Sequence, residues 1–419
     1  MRSFLHATLL LLLLFGLSFG AGFGLYEFGA RASSLGGAVV AQSYDASSIF
    51  YNPAGLAFQK GTQFYGDLTL ITASNKWVGP APIFSDEVFK AENQIHTPFG
   101  AYISHSFSEK LAVGLGVTTP FGLGLKWPSD YPGDVVSKDV NLKSFYFSPV
   151  VSYRLLKNLG IGAGVDLVYS KVTLERYILF PEDSKPGTNV GNVSLDGNSK
   201  LAVGFSASLL YKYDKLSLGF LYRHKVKNEF DGNATFNIKD EYYRDFLTTT
   251  AGLVDQKVKT EITYPSFLSV GAHYQIMENM GIEFDYMWYK WDVFKSLVLD
   301  FAKTQDVSVE EDYSNSSQFR VGVHYNLTPA IELRGGYIYD QTPQPIGSMS
   351  PLLPDATRND FSLGVGYKTG SMQFDLGYML VLFDDRGTVV NGEGKSFDGF
   401  DGNYTGVANL LFVGYGISF

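Results

Sequence analysis

The chain has 419 residues, 18% of them charged and 15% aromatic, with no cysteine and a formal net charge of -9. Soluble domains carry roughly 25% charge, so the composition leans away from an ordinary soluble protein. The acidic balance disfavours a nucleic-acid partner, which needs clustered Lys and Arg, and the missing cysteines exclude disulfides and thiolate metal sites. The length would allow two or three domains, but one closed barrel can also absorb it.

In chain order, Met1 and Arg2 precede a leucine-dominated run from Leu9 to Leu17 and then Ser18, Phe19 and Gly20. This pattern predicts a secretory leader over residues 1–20, removed after about Gly20, with an uncleaved anchor as the alternative. The run is shorter than the roughly 20 residues that span a bilayer as a helix. Residues 21–60 follow, rich in Gly, Ala and Ser and without a sustained period. Phe23, Leu25, Tyr26, Phe28, Ile49, Phe50 and Tyr51 are too apolar for a solvated tail, so the stretch is expected to be a plug. Its glycines allow close backbone packing, and Asn52 before Pro53 and Ala54 favours a turn.

From Thr62 onward the period is two. Phe319, Val321, Val323 and Tyr325 alternate with Arg320, Gly322, His324 and Asn326; Met372, Phe374, Leu376, Tyr378 and Leu380 do the same. Alternation alone fits a soluble sandwich or a membrane barrel turned inside out. The connections discriminate. Tight turn signals at 108–110, 157–158, 214–215, 278–279, 328–329 and 369–370 alternate with longer polar stretches near 79–96, 123–139, 181–199, 231–257, 301–314, 342–357 and 388–403. That asymmetry is the mark of outer-membrane barrels, and it implies about fourteen strands. Runs such as Asn141–Leu155, Leu159–Leu179, Leu201–Tyr213 and Met280–Phe301 suit long tilted strands. The fold class expected is therefore all-β: a transmembrane antiparallel barrel over residues 61–419 with the N-terminal plug in its lumen.

Trp77, Trp127, Trp288 and Trp291 fall near expected strand ends, where an amphipathic ring can sit at headgroup level. Residues Asp240–Val254 carry a helical pattern that reads equally as a lid or as a disordered insertion. The final Leu411, Val413, Tyr415, Ile417 and Phe419 share one face, and the terminal Phe419 resembles the signal read by bacterial barrel-assembly machinery.

AGFGLYEF from Ala21 and DASSIFYNPAGLA ending at Ala57, with PFGL from Pro120, LER ending at Arg176, the spaced Trp288, Trp291 and Phe294, and PDATR ending at Arg358, resemble the FadL family of outer-membrane transporters. The likeness runs through nearly all of the chain after residue 20. It implies a fourteen-stranded barrel, a lumenal hatch, and passive uptake of long-chain fatty acids or related hydrophobic compounds. By resemblance, Phe23 inserts into the substrate pocket and Arg176 meets a substrate carboxylate; Asn52, Pro53 and Ala54 belong to hatch gating. A lateral opening is implied beside a kink in the third strand at Pro120, Phe121 and Gly122. The residues agree in part: proline gives no N–H to a ladder and glycine marks a bend, although Pro120 could simply end the strand. Arg176 can hold a carboxylate by charge-assisted bonds, and a rim salt bridge to Glu175 is the alternative. A second cationic pocket residue of the family has no counterpart, so uncharged aromatic or alkane hydrocarbons stay open as substrates.

Enzyme signals fail on context. Gly160, Gly162 and Gly164 lie in an alternating strand with no helix following, and no Gly-x-Ser-x-Gly elbow exists for an esterase or lipase. The histidines show no metal-ligand spacing, and Asp398, Asp401 and Asn403 read as a solvated turn rather than a calcium loop. No catalytic, metal or cofactor site is expected. The expected partners are a hydrophobic small molecule, outer-membrane lipid and lipopolysaccharide, and the assembly machinery, with the protein a monomer. A structural or adhesive barrel is the alternative from another class.

Overall fold

In a computed structural model, residues 22–25, 27–80, 87–182, 185–389 and 394–419 are described, with no side-chain account of 180–188. The expected leader over 1–20, and with it Ala21, lies outside the described residues. Fourteen antiparallel strands close into one barrel. They are β1 (Thr62–Val78), β2 (Phe99–Ser106), β3 (Leu111–Thr118, then Gly122–Lys126), β4 (Asp139–Leu156), β5 (Leu159–Glu182), β6 (Lys185–Ser199, then Ala202–Tyr213) and β7 (Leu216–Arg223, then Val226–Ile238). β8 (Gln256–Tyr264, then Phe267–Met277), β9 (Met280–Tyr289), β10 (Ser316–Asn326), β11 (Ile331–Asp340), β12 (Arg358–Thr369), β13 (Met372–Phe383) and β14 (Asn403–Ser418) complete the wall. Closure pairs β1 with β14, from Gln63 opposite Ser418 to Val78 opposite Asn403.

The alternation faces as a membrane requires. Phe284, Phe319, Leu363, Leu376 and Val413 are exposed on the outer surface, whereas Asp285, Arg320, Ser362, Asp375 and Gln318 are buried in the lumen. An apolar exterior against lipid and a polar interior are the reverse of a soluble sandwich.

Several sequence expectations need correction. Residues 181–199 are not a long loop: β5 and β6 continue as a hairpin, pairing Glu175 with Ser194 and Ile178 with Gly191. β7 likewise runs through 231–238. Strand ends that project beyond a bilayer meet water, so their polar composition imitates a loop. Met280–Phe301 is not one strand, because β9 stops at Tyr289, a turn spans Trp291–Val293, and Ser296–Phe301 then pairs with Val307–Glu310. Trp77, Trp127 and Trp291 are fully buried rather than at headgroup level; Trp288 alone is half-buried on the outward-alternating face. Trp127 shows why: its indole N–H reaches the Pro351 carbonyl at 3.0 Å across the barrel mouth. Residues 240–254 form a short helix, Glu241–Asp245, continuing to Thr250, whose Leu247 packs on Val190 and Ile238.

Candidate ligand-binding site

The lumen is filled by residues 22–25 and 27–58, which carry two short helices, α1 (Ala30–Ser33) and α2 (Ser48–Tyr51), and a 3₁₀ turn, Pro53–Phe58. Nearly all of this segment is buried. Many of its backbone groups bond within the segment, and several others bond to side chains of the wall. Asp285 accepts the Val39 and Val40 N–H groups at 2.9 and 3.1 Å, and Glu283 accepts Ala41 at 2.6 Å. Arg320 donates to the Gly37 carbonyl, and Arg31 pairs with Glu332 at 3.1 Å.

Asn52 clamps plug to wall. Its side-chain amide donates to the Val40 carbonyl at 2.7 Å and to the Leu209 carbonyl of β6 at 2.9 Å, while its oxygen accepts the Ala54 N–H at 3.1 Å. Pro53 opens the 3₁₀ turn, and Ala54 N–H also reaches Ser208. The Gly160 and Gly162 face gains its meaning here. A Cβ on Gly162 would stand 2.5 Å from the Ala54 nitrogen, and one on Gly160 would stand 2.8 Å from the Ala54 oxygen, so the wall must be bare where the turn docks.

The N-terminal end of the plug sits differently. Phe23 is 5% exposed and meets Trp291, Phe294, Tyr264 and Phe121 edge-on, with ring centroids 4.8, 5.4, 6.1 and 6.2 Å away. Edge-to-face contact suits the ring quadrupoles. Leu142, Val168, Ala202, Val226, Phe230 and Ile262 extend this cage as an apolar wall. Gly22 is tied at the far side by its N–H to Asp355 at 2.9 Å, a carboxyl that burial holds above the usual carboxylate range. Above the cage, Val172, Leu174, Leu195, Val258, Ile262 and Leu299 help to line an apolar groove between the projecting ends of β5 to β8. Phe230 and Ile262 belong to both, so groove and cage adjoin. Arg176 lies two residues beyond Leu174 on the same inward-alternating face of β5 and is exposed at the groove mouth. Glu175 faces the other way and accepts Asn192 at 3.2 Å; among the described residues no Arg176–Glu175 bridge forms.

The third strand breaks where expected. β3 pairs with β2 only up to Thr118 opposite Gly100, and with β4 at Thr118–Tyr146 and again at Gly122–Lys143. Across the break the plug supplies the bonds. Leu25 N–H donates to the Pro120 carbonyl at 2.8 Å, and Gly122 N–H donates to the Phe23 carbonyl at 3.0 Å. On the other edge, Ser144 serves both the N–H and the carbonyl of Phe121. Pro120, Phe121 and Gly122 are thus brought together with Phe23, while Asn52, Pro53 and Ala54 dock separately on β5 and β6, and Arg176 stands at the mouth. The anchors Asp285, Glu283 and Arg320, and the cage residues Tyr264 and Tyr313, were not singled out from sequence. A charged residue on the glycine-bearing face of a strand is the one signal that marked the anchors.

A closed barrel with an apolar exterior, a bonded lumenal plug and an aromatic cage open to an apolar groove defines an outer-membrane transport protein for hydrophobic compounds. The chain matches the family model described as outer membrane protein transport protein (OMPP1/FadL/TodX) over residues 12–419, and it belongs to that family. Among relatives, outer membrane protein P1 of Haemophilus influenzae is 25% identical, covering 85% of this chain and 83% of its own. The long-chain fatty acid transport protein of Escherichia coli is 23% identical, covering 86% and 88%. Of solved structures, a Pseudomonas aeruginosa FadL homologue superposes with a TM-score of 0.83 at 19% identity, covering 95% of this chain and all of that one. The Pseudomonas putida toluene transporter TodX gives 0.72 at 18%, covering 96% and 99%. These likenesses fix the fold.

Proposed function

We propose that the protein takes up long-chain fatty acids passively, capturing them in the extracellular groove, passing them to the cage around Phe23, and releasing them sideways into lipid beside the β3 break. The chain divides accordingly into a leader (1–20), a hatch (21–60) and a barrel (61–419), acting as a monomer among outer-membrane lipid and lipopolysaccharide after insertion by the assembly machinery. The observation that carries this reading is the pair of backbone bonds from Phe23 and Leu25 to the β3 break. One segment occupies the cage with its side chain and closes the wall with its backbone. A ligand that displaces the Phe23 ring therefore loosens the closure as it binds, and an apolar molecule gains by leaving into lipid rather than water. Arg176 at the groove mouth supplies the carboxylate partner by charge-assisted hydrogen bonds.

The test is equilibrium binding of palmitate and of an alkylbenzene to purified protein, read by native mass spectrometry. Retention of palmitate supports the reading. Retention of the alkylbenzene alone shifts the substrate class to uncharged hydrocarbons, the second reading, which the dominance of aromatic and aliphatic side chains in the cage favours. Retention of neither refutes both.

A further inference from the structure

The wall is interrupted at a second place, between β6 and β7. Their ladder pairs Ser206 with Arg223 in the lower half and Ser199 with Phe230 in the upper half. Between these, His224 N–H donates to the Phe205 carbonyl and Lys200 N–H donates to the Glu229 carbonyl. Residues 201–204 and 225–228 make no ladder pairs with one another among the described residues. Residues 202–204 and 226–228 are paired on their other edges, Ala202 with Val168 and Val226 with Tyr264.

The cause lies in the pleat. In an antiparallel ladder, opposed residues must share a face, because side chains alternate with a period of two. β6 switches phase at Lys200 and Leu201, which are consecutive exposed residues: Ser199 and Ala202 both face inward. β7 switches at His224 and Lys225, between inward Arg223 and inward Val226. The register sets Lys200 opposite Glu229 and Phe205 opposite His224, so the two switches are offset along the seam. Between them, inward Ala202 and Gly204 oppose outward Lys227 and Lys225, and no regular ladder can form. β8 switches in step with β7 at Pro265 and Ser266, which keeps that neighbouring seam closed.

The β6 edge of the seam is apolar on both faces, whereas the β7 edge carries outward Lys225 and Lys227, the latter paired with Glu261 at 2.6 Å, and inward Asn228. Inside stand Ala202, Val226 and Phe230 of the Phe23 cage. Outside, Leu201 and Val203 are 66% and 61% exposed, and Phe205 stacks on His224 at 4.4 Å. Val226 packs against the bare backbone of Gly204, where a Cβ would lie 2.7 Å from a Val226 methyl, and Asn228 donates to the Val226 carbonyl at 3.2 Å. A side chain can swing aside there without breaking any backbone bond, unlike at β3.

We propose that this seam is a second lateral portal through which an apolar chain passes between the cage and the lipid, gated by Val226 against Gly204. The inference rests on the cage being the ligand site. Because the chain has no cysteine, Gly204→Cys with Val226→Cys forms a reversible staple at the gate. The protein is reconstituted in liposomes with a long-chain fatty acid carrying a terminal diazirine, and probe transfer into the bilayer is followed before and after reduction. Because Val226 also lines the cage, transfer is expressed per bound probe; a loss on oxidation, recovered with dithiothreitol, is expected, and equal transfer per bound probe in both states overturns the portal. In the unaltered protein, irradiation should label peptide 201–205 above the lipid-facing strand segment 361–365 on the opposite wall. Labelling no higher than that control overturns the portal even if the cysteine pair fails to fold. No probe binding to the unaltered protein overturns the cage as ligand site, and the portal with it.

Discussion

The backbone N–H of Gly122, in the barrel wall, donates to the carbonyl of Phe23, in the plug, at 3.0 Å. The same residue of the plug thus closes the wall with its backbone and fills the aromatic cage with its ring. Strong anchors hold the rest of the plug: carboxylates on Val39 to Ala41 and the Asn52 clamp on β6. Motion that follows ligand entry is therefore expected in residues 22–28, not in the plug as a whole.

Truncating the ring tests the coupling. Phe23→Ala removes a buried aromatic side chain, a change that costs about 3–5 kcal/mol when the site cannot collapse. Because that energy docks only the N-terminal end, the loss should appear as faster hydrogen exchange at Leu25 and Gly122, with the barrel's melting temperature nearly unchanged. Uniformly faster exchange across the plug would contradict a locally docked segment.

The anchors predict a leak. Asp285→Ala leaves the buried Val40 N–H without its acceptor, at about 1–3 kcal/mol for an unsatisfied group, while Val39 N–H keeps the Gly37 carbonyl at 3.1 Å. The loosened plug should produce conductance bursts in planar bilayers that the unaltered protein lacks. A silent variant with unchanged exchange at residues 39–41 would mean that Glu283 and Arg320 suffice.

Much of this fold was legible because barrel physics writes a period of two and unequal connections into the sequence. Fourteen strands follow from turns at 108–110 through 369–370, and the plug from an apolar stretch too irregular for a strand. What misled was solvent: beyond the bilayer the β5–β6 hairpin is wet and reads as loop. Trp77, Trp127 and Trp291 misled for a related reason, since a strand end leads equally to the headgroups or to the mouth of the lumen. Position along the chain does not choose between them; the ring's partner does. The seam between β6 and β7 was not read from the sequence, because the phase switches at Lys200–Leu201 and His224–Lys225 show only in which side chains are buried and in which strands are neighbours.

Glu311 gives a pH dependence outside the membrane. Burial raises its carboxyl from the ordinary 4.5 to about 8, so it stays protonated at neutral pH in the folded loop. Between those values the folded state binds more protons than the unfolded one, so stability falls as pH rises, by up to about 1.4 kcal/mol per pH unit. The neighbouring Tyr313 packs on Trp291 and Phe294 of the cage. Thermal unfolding measured from pH 5 to 9 should therefore show a decline that Glu311→Gln flattens, with the variant more stable at pH 9. Parallel profiles for the two proteins would place the decline elsewhere.

Gly122 separates capture from release. A Cβ at that position would stand 2.9 Å from a Leu25 methyl, a flexible end that can yield, so a small side chain is tolerated while a branched one must displace the plug or fill the break. No side chain of the cage or groove is replaced by the change. Gly122→Val should accordingly slow transfer of a bound fatty acid into liposomes and leave its equilibrium binding intact, whereas Arg176→Ala should weaken binding of palmitate more than of an alkylbenzene. The two variants therefore fail at different stages, and that contrast is the measurement: binding by native mass spectrometry, transfer by liposome partition. If Gly122→Val transfers as fast as the unaltered protein while the stapled seam between β6 and β7 does not, release runs through the second portal alone.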